Sequence, residues 1–73
     1  MVVQIKIRGN ALDKLAWSNN DVAMFMEAFR EDVGSVQEGD RTVWSVDVLP
    51  FDFVFRALDA MKSSSDIEVL EFC

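Results

Sequence analysis

Three stretches of the chain alternate between apolar and polar residues, and this period of two predicts half-buried β-strands. They are residues 2–8, 41–48 and 67–72, and a weaker strand is expected at residues 33–37. In the first strand Val3, Ile5 and Ile7 should face the interior. In the strand at residues 41–48 the expected inward residues are Trp44, Val46 and Val48, and the expected outward residues are Val43, Ser45 and Asp47. Glu38-Gly39-Asp40 supplies the glycine of a tight hairpin turn between the second and third predicted strands.

Two helices are predicted where apolar residues recur every three or four positions. The first should begin at a capping Ser18 and run to about residue 31, with residues 11–17 before it forming at most one loose turn. Trp17, just before the cap, suits a hydrophobic staple better than an anchor for a partner. The second should have Pro50 in its first turn. The expected core stripes are Val22, Phe25, Met26 and Phe29 on the first helix, and Phe51, Val54, Phe55, Leu58 and Met61 on the second.

The order strand, helix, strand, strand, helix, strand resembles the ferredoxin-like split βαβ architecture. That resemblance implies an α+β fold with an antiparallel four-stranded sheet and two helices on one face. Because both crossovers should be right-handed, the expected strand order is 4-1-3-2. Residues 1–73 should form this single domain, with no linker or repeat. The architecture hosts many unrelated functions, and no family motif accompanies it here.

Residues that usually carry catalysis are scarce in this composition. The chain has no histidine and no tyrosine, and its one cysteine, Cys73, is the last residue. No glycine-rich phosphate loop occurs, and the carboxylates are scattered rather than set at metal-ligand spacing. We therefore expect a protein that is not an enzyme, binds no cofactor and no metal, and resides in the cytoplasm, since nothing indicates a signal peptide, a membrane span or a disulfide.

Thirteen acidic residues against seven basic ones give a net charge of −6. This balance, together with the absence of aromatic residues at the outward positions of the central strands, disfavours direct binding of nucleic acid. An acidic surface instead suits a protein partner with a basic surface, including one whose normal ligand is nucleic acid. Solvated charges of an ordinary acidic protein explain the same composition.

Candidate partner-binding residues are apolar positions beyond those one core needs. Phe53 lies beside the predicted stripe of the second helix, either at the surface or within a wide buried face. Leu70 and Phe72 break the alternation of the last strand, either through a bulge or because they lie on the open face of the sheet, and the open face is favoured. Three acidic candidates, Asp13, Glu38 and Asp40, should gather at one end of the sheet. The same end is expected to hold Asp21, Asp66, Lys14, Arg41 and Lys62.

These observations favour a small, acidic, non-enzymatic protein-binding regulator or inhibitor. Phages and mobile elements encode such proteins against nucleic-acid-handling complexes, and an anti-CRISPR-like inhibitor would be one example. One alternative is a ligand-sensing module that binds a small molecule at a dimer interface near Gly9-Asn10; another is a structural subunit of a larger assembly. A chain this short buries little surface, so a weak homodimer through the last strand is also expected.

Overall fold

The computed structural model describes residues 1–30 and 34–72, which form four strands and three helices. The α+β class is therefore confirmed. Two helices lie between the first two strands, so the predicted total of two helices is wrong. The predicted helix end at residue 31 and strand start at residue 33 lie outside the described residues. In chain order the elements are β1 (Val2–Arg8), α1 (Ala11–Ser18), α2 (Asn20–Phe29), β2 (Gly34–Glu38), β3 (Arg41–Asp47), α3 (Asp52–Lys62) and β4 (Ile67–Phe72).

The four strands form one antiparallel sheet in the order β2-β3-β1-β4. Counted from the β4 edge, this order is 4-1-3-2, as predicted from one hairpin and two crossovers. Gly39 closes the β2–β3 hairpin at a φ of 65°, a conformation that glycine adopts without a Cβ clash. The central strands are β1 and β3, and the two edges of the sheet are β2 and β4.

The segment before α2 is a full helix rather than a loose turn. It spans eight residues, about two turns, and ends at Ser18. Only Asn19 separates it from α2, and the backbone of that residue is extended, with φ −132° and ψ 110°. The side-chain oxygen of Asn19 accepts a hydrogen bond from the backbone N–H of Val22 at 3.2 Å. The N-cap is therefore Asn19, and the prediction of Ser18 is wrong; the Ser18 hydroxyl donates to the Leu15 carbonyl within α1.

Replacing Asn19 by alanine should lower the free energy of unfolding by about 1 kcal/mol, because the first turn of α2 loses its side-chain cap. Urea denaturation followed by circular dichroism measures this loss. Ser18→Ala is the matched control and should change stability by less than about 0.5 kcal/mol. A larger loss for Ser18→Ala than for Asn19→Ala would contradict the assigned cap.

One hydrophobic core lies between the sheet and the helices. The inward residues of β1 are almost fully buried, as predicted, and all three helices pack against the same face of the sheet because each contributes to the same cluster. The buried members of this core are Val3, Ile5, Ile7, Leu12, Val22, Phe25, Phe29, Val46, Val48, Val54, Ala57, Leu58, Met61 and Ile67.

The buried stripe of α3 is narrower and differently placed than the sequence predicts. Its buried members are Val54, Ala57, Leu58 and Met61, whereas Phe55 is 44% exposed. Residues two positions apart on a helix lie about 160° apart around its axis, so a stripe that includes Ala57 excludes Phe55. Phe51, predicted in the core stripe, is instead the exposed N-cap of α3. Pro50, predicted in the first turn, precedes the helix.

The predicted span of β4, residues 67–72, is confirmed, and its pairing with β1 continues without a bulge. Leu70 pairs with Gln4, and Phe72 pairs with Val2, so both apolar side chains lie on the face of the sheet away from the helices. This confirms the favoured open-face interpretation. On the same face Val43, between Val36 and Lys6 in the register, is buried without joining the main core.

Candidate protein-binding surfaces

A groove of about 450 Å³ runs between α1 and α2, and we call it the α1–α2 groove. Trp17 stands at this groove with 82% of its side-chain surface exposed, the largest value among the exposed apolar residues. The remaining lining consists of three apolar and three charged residues, namely Ala16, Ala23 and Met26, and Asp13, Glu27 and Arg30.

Trp17 is exposed because of its position on α1. The one fully buried residue of this helix is Leu12, and Trp17 follows it by five positions, about 140° around the helix axis. The indole therefore points away from the core. The interpretation of Trp17 as a hydrophobic staple is wrong, because α1 continues through the predicted staple position and the N-cap of α2 comes two residues later.

Charges at the groove are mixed, with a small acidic excess. Two carboxylates, Asp13 and Glu27, line it together with one guanidinium, that of Arg30. The predicted candidate Asp13 thus belongs to the groove, and it also borders a second, smaller cleft described below. An apolar floor with an exposed indole and carboxylates suits a ligand that carries both an apolar anchor and a positive charge.

The hairpin turn and the start of β4 meet at one end of the sheet, as predicted. Arg8 lies between Asp40, at 3.7 Å, and Asp66, at 3.8 Å. Glu38 is paired with Arg41 in the register of the hairpin. Asp40 and Asp66 thus share one guanidinium group, and such exposed pairs contribute little to stability. The role of Glu38 and Asp40 in binding a partner stays a prediction.

Two other residues expected at that end have partners elsewhere. Asp21 accepts a hydrogen bond from the Arg56 side chain at 3.2 Å, linking the start of α2 to α3. Lys62, at the end of α3, donates to Glu71 on β4 at 2.6 Å. The acidic end of the sheet is therefore smaller than the sequence indicates.

Exposed aromatic residues gather around the start of α3. The ring of Phe51 stacks on that of Phe53, with centroids 5.9 Å apart. Phe53 itself is only partly exposed and packs against the core, whereas Leu49 and Phe51 are at least half exposed. The candidate Phe53 therefore packs between the core and the ring of Phe51, and Phe51 has the larger solvent-exposed surface of the two.

A third group of apolar side chains lies on the open face of the sheet near the β4 edge. Phe72 is 47% exposed and lies beside its pairing partner Val2, which is similarly exposed. Leu70, the other predicted candidate on this strand, is half-buried. Both candidates of the last strand thus lie on one small apolar surface at the edge of the sheet.

A cleft of about 200 Å³ lies where β1 turns into α1. Gly9 and Asn10 form one side of it, and Thr42 and Trp44 of β3 form the other. Binding sites for small molecules usually measure roughly 300–1,000 Å³, so this cleft would hold only a small ligand. Its position matches the turn at which the sequence suggests a ligand-sensing site.

The residues that the structure adds to the predicted set are Trp17, Phe51 and Phe55. In the sequence, the one signal for the exposure of Trp17 is its spacing of five residues from Leu12. Within residues 1–30 and 34–72, no group of three or more carboxylates converges to hold a metal ion, and no helix is both long and apolar enough to span a membrane. In comparisons with known proteins, the chain matches no family model, no curated protein and no solved structure.

Proposed function

We propose that this chain is a small, non-enzymatic regulator or inhibitor that acts by seating a partner protein in the α1–α2 groove. The observation that carries the proposal is Trp17, whose side chain is 82% exposed at that groove. Tryptophan is among the residues most enriched at the energetic centres of protein interfaces. A lone indole in water has no role in the stability of this fold, whereas against a partner it supplies a large contact area.

The partner should present an apolar anchor surrounded by basic groups. Ala16, Ala23 and Met26 provide an apolar floor, and two carboxylates stand at its rim. A net charge of −6 would attract such a partner over a longer range. Proteins that normally bind nucleic acid have basic surfaces of this kind. An inhibitor of a nucleic-acid-handling complex, of the anti-CRISPR-like type that phages encode, is the most specific form of this proposal.

The finer fold assignment and the location belong to the same proposal. The strand order and the hairpin support a ferredoxin-like split βαβ domain in which the first crossover has been divided into two helices. We place the protein in the cytoplasm on the basis of its composition, in which a single cysteine offers no internal disulfide. No chemistry is assigned to the chain itself.

A capture experiment with a matched variant tests the role of Trp17. Immobilised protein should retain a specific partner from lysate of the cells that carry the gene, and Trp17→Ala should weaken the purified complex at least about 30-fold, the loss typical of a hot-spot residue. The variant should remain folded, because the side chain is exposed. Phe55→Ala, a comparable truncation away from the groove, is the control. A partner that binds Trp17→Ala as tightly as the unchanged protein would overturn the proposal.

The cleft at the β1–α1 turn favours a second candidate function, the sensing of a small molecule. Its polar groups come from Asn10, Asp13 and Thr42, and Trp44 provides an aromatic wall. A small polar ligand, such as an amino acid, would match this lining better than a nucleotide would, because the volume is only about 200 Å³. The cleft is open to solvent at the turn, so a ligand has a path of entry.

The two tryptophans report on the two candidates separately, because Trp17 lies at the groove and Trp44 lines the cleft. In a Trp44→Phe variant, binding of a protein partner should shift the fluorescence of the remaining tryptophan to shorter wavelength. In a Trp17→Phe variant, a ligand in the cleft should change the emission instead. A response confined to the second variant would favour the ligand-sensing function over the protein-binding one.

A further inference from the structure

We propose that the β4 edge binds a second copy of this chain, giving a two-fold symmetric dimer with a continuous eight-stranded sheet centred on Val69. This proposal does not depend on the α1–α2 groove, which lies on the helices and would stay free in the dimer. It depends on three features of the described residues: the direction of the free backbone groups of β4, the exposed side of α3 next to it, and the pairing of the glutamates.

The free backbone groups of β4 belong to alternate residues. The backbone N–H of Arg8 donates to the carbonyl of Asp66 at 2.9 Å, so these two residues form a hydrogen-bonded pair. Because such pairs alternate along an antiparallel ladder, Glu68, Leu70 and Phe72 direct their N–H and C=O groups toward β1. The N–H and C=O groups of Val69 and Glu71 and the C=O of Ile67 therefore point outward, available to another strand. The N–H of Ile67 instead donates to the carbonyl of Ser64 at 3.4 Å.

This pattern selects a register for two copies related by a two-fold axis normal to the sheet. Centring on Val69 pairs it with Val69 of the second copy and pairs Ile67 with Glu71 across the axis. That register engages all three outward residues of each strand and forms about four hydrogen bonds, whereas centring on Leu70 engages only Val69 and Glu71 among the described residues. The register centred on Val69 also places no glutamate directly opposite another glutamate.

The side of α3 that faces the β4 edge carries one exposed aromatic residue, Phe55, among charged residues. Phe55 precedes Lys62 by seven residues, so the two lie on the same side of the helix. Since Lys62 contacts Glu71, that side faces β4. With a two-fold axis normal to the sheet, both copies of α3 lie on the same side of the joined sheet, and the exposed ring of each Phe55 faces the junction.

Electrostatics favours this edge although the chain is acidic. Glu68 pairs with Arg41 at 3.2 Å, and Glu71 pairs with Lys62 at 2.6 Å, so both glutamates of β4 have a cation within the same chain. Two such edges can approach without bringing uncompensated carboxylates together. The opposite edge, β2, is exposed throughout, and Val36 is its one large apolar residue. The β4 edge is therefore the better surface for a second copy.

Proline at Glu71 tests the pairing, because it removes an outward N–H without affecting the ladder to β1. In sedimentation velocity over a hundredfold dilution series, the unchanged chain should pass from monomer to dimer. Glu71→Pro should weaken this association about 30-fold, since two interchain hydrogen bonds are lost by symmetry. Glu71→Ala loses the same charge and the same ion pair but keeps the N–H. It should dimerise within about threefold of the unchanged chain.

A second variant protects the test if Glu71→Pro does not fold. Val69→Cys, in a Cys73→Ser background, should form an interchain disulfide on mild oxidation. The Cα atoms of position 69 in the two copies would lie about 5.5 Å apart, as in any hydrogen-bonded antiparallel pair. Cysteine at Gln37 on the β2 edge is the control and should crosslink at least tenfold more slowly. A chain that stays monomeric throughout the dilution series would overturn the proposal. So would equal crosslinking at both edges.

Discussion

Phe25→Ala is expected to remove a large part of the free energy of unfolding of this protein. Phe25 is fully buried in the middle of α2, and its ring lies 5.1 Å from that of Phe29. Truncating a buried phenylalanine costs about 3–5 kcal/mol, from lost burial and from the cavity that remains. A chain of 73 residues has a total stability of about 4–11 kcal/mol, so this single change consumes a large part of it.

Chemical denaturation of Phe25→Ala, Phe53→Ala and Phe55→Ala measures this effect and ranks three chemically identical truncations. Phe53 is partly buried, so Phe53→Ala should lower the free energy of unfolding by about 1–2 kcal/mol. Phe55 is exposed, so Phe55→Ala should lower it by about 1 kcal/mol or less. The sequence alone predicts a severe loss for Phe55→Ala, because it places Phe55 in the core stripe, and it leaves Phe53 open between the surface and a wide buried face. A severe loss for Phe55→Ala, equal to that of Phe25→Ala, would contradict the orientation of α3.

Ile5→Asp is expected to abolish folding at neutral pH. Ile5 is fully buried on the central strand β1, between Trp44 and Val69 in the register. No polar side chain is buried in the described part of the chain, so a carboxylate at this position would find no partner. An unpaired buried ion costs roughly several kcal/mol, which is comparable to the whole stability of the domain.

Gln4→Asp is the matched control, because Gln4 is the preceding residue and lies on the open face of the sheet. It should remain folded, with a loss of about 1 kcal/mol or less. Burial raises the pKa of the carboxyl introduced at Ile5 above its unfolded value, so protonation favours the folded state. The difference in stability between Ile5→Asp and Gln4→Asp, measured by circular dichroism, should therefore become smaller in mildly acidic buffer. Equal stability at neutral pH would show that the faces of β1 are assigned wrongly.

The strands could be predicted from the sequence nearly to the residue. An antiparallel sheet with helices on one face and solvent on the other imposes a period of two, and Val3, Ile5 and Ile7 record it directly. The breaks between strands are also local, since Gly9 and Gly39 both adopt a positive φ. The strand order followed from general rules for hairpins and crossovers, which need no side-chain detail.

Helix boundaries and faces were harder to predict, because they depend on tertiary packing. Ser18 and Asn19 are both good capping residues, and the choice between them depends on whether α1 forms at all. Phe53 and Phe55 lie on opposite sides of Val54, so helical spacing alone cannot decide which of them faces the sheet. The candidate site was predicted least well, because the exposure of Trp17 becomes evident only once α1 is known to be a helix.

The single extended residue between α1 and α2 has a consequence for motion. With Leu12 as its one fully buried side chain, α1 is held to the rest of the domain much less firmly than α3, which buries four. The free energy of local opening is lowest where few apolar side chains are buried. We therefore expect the backbone amides of α1 to exchange their hydrogens faster than those of α3. Because Trp17 lies on α1, the surface beside it is expected to vary in shape more than the packing of α3 on the sheet does.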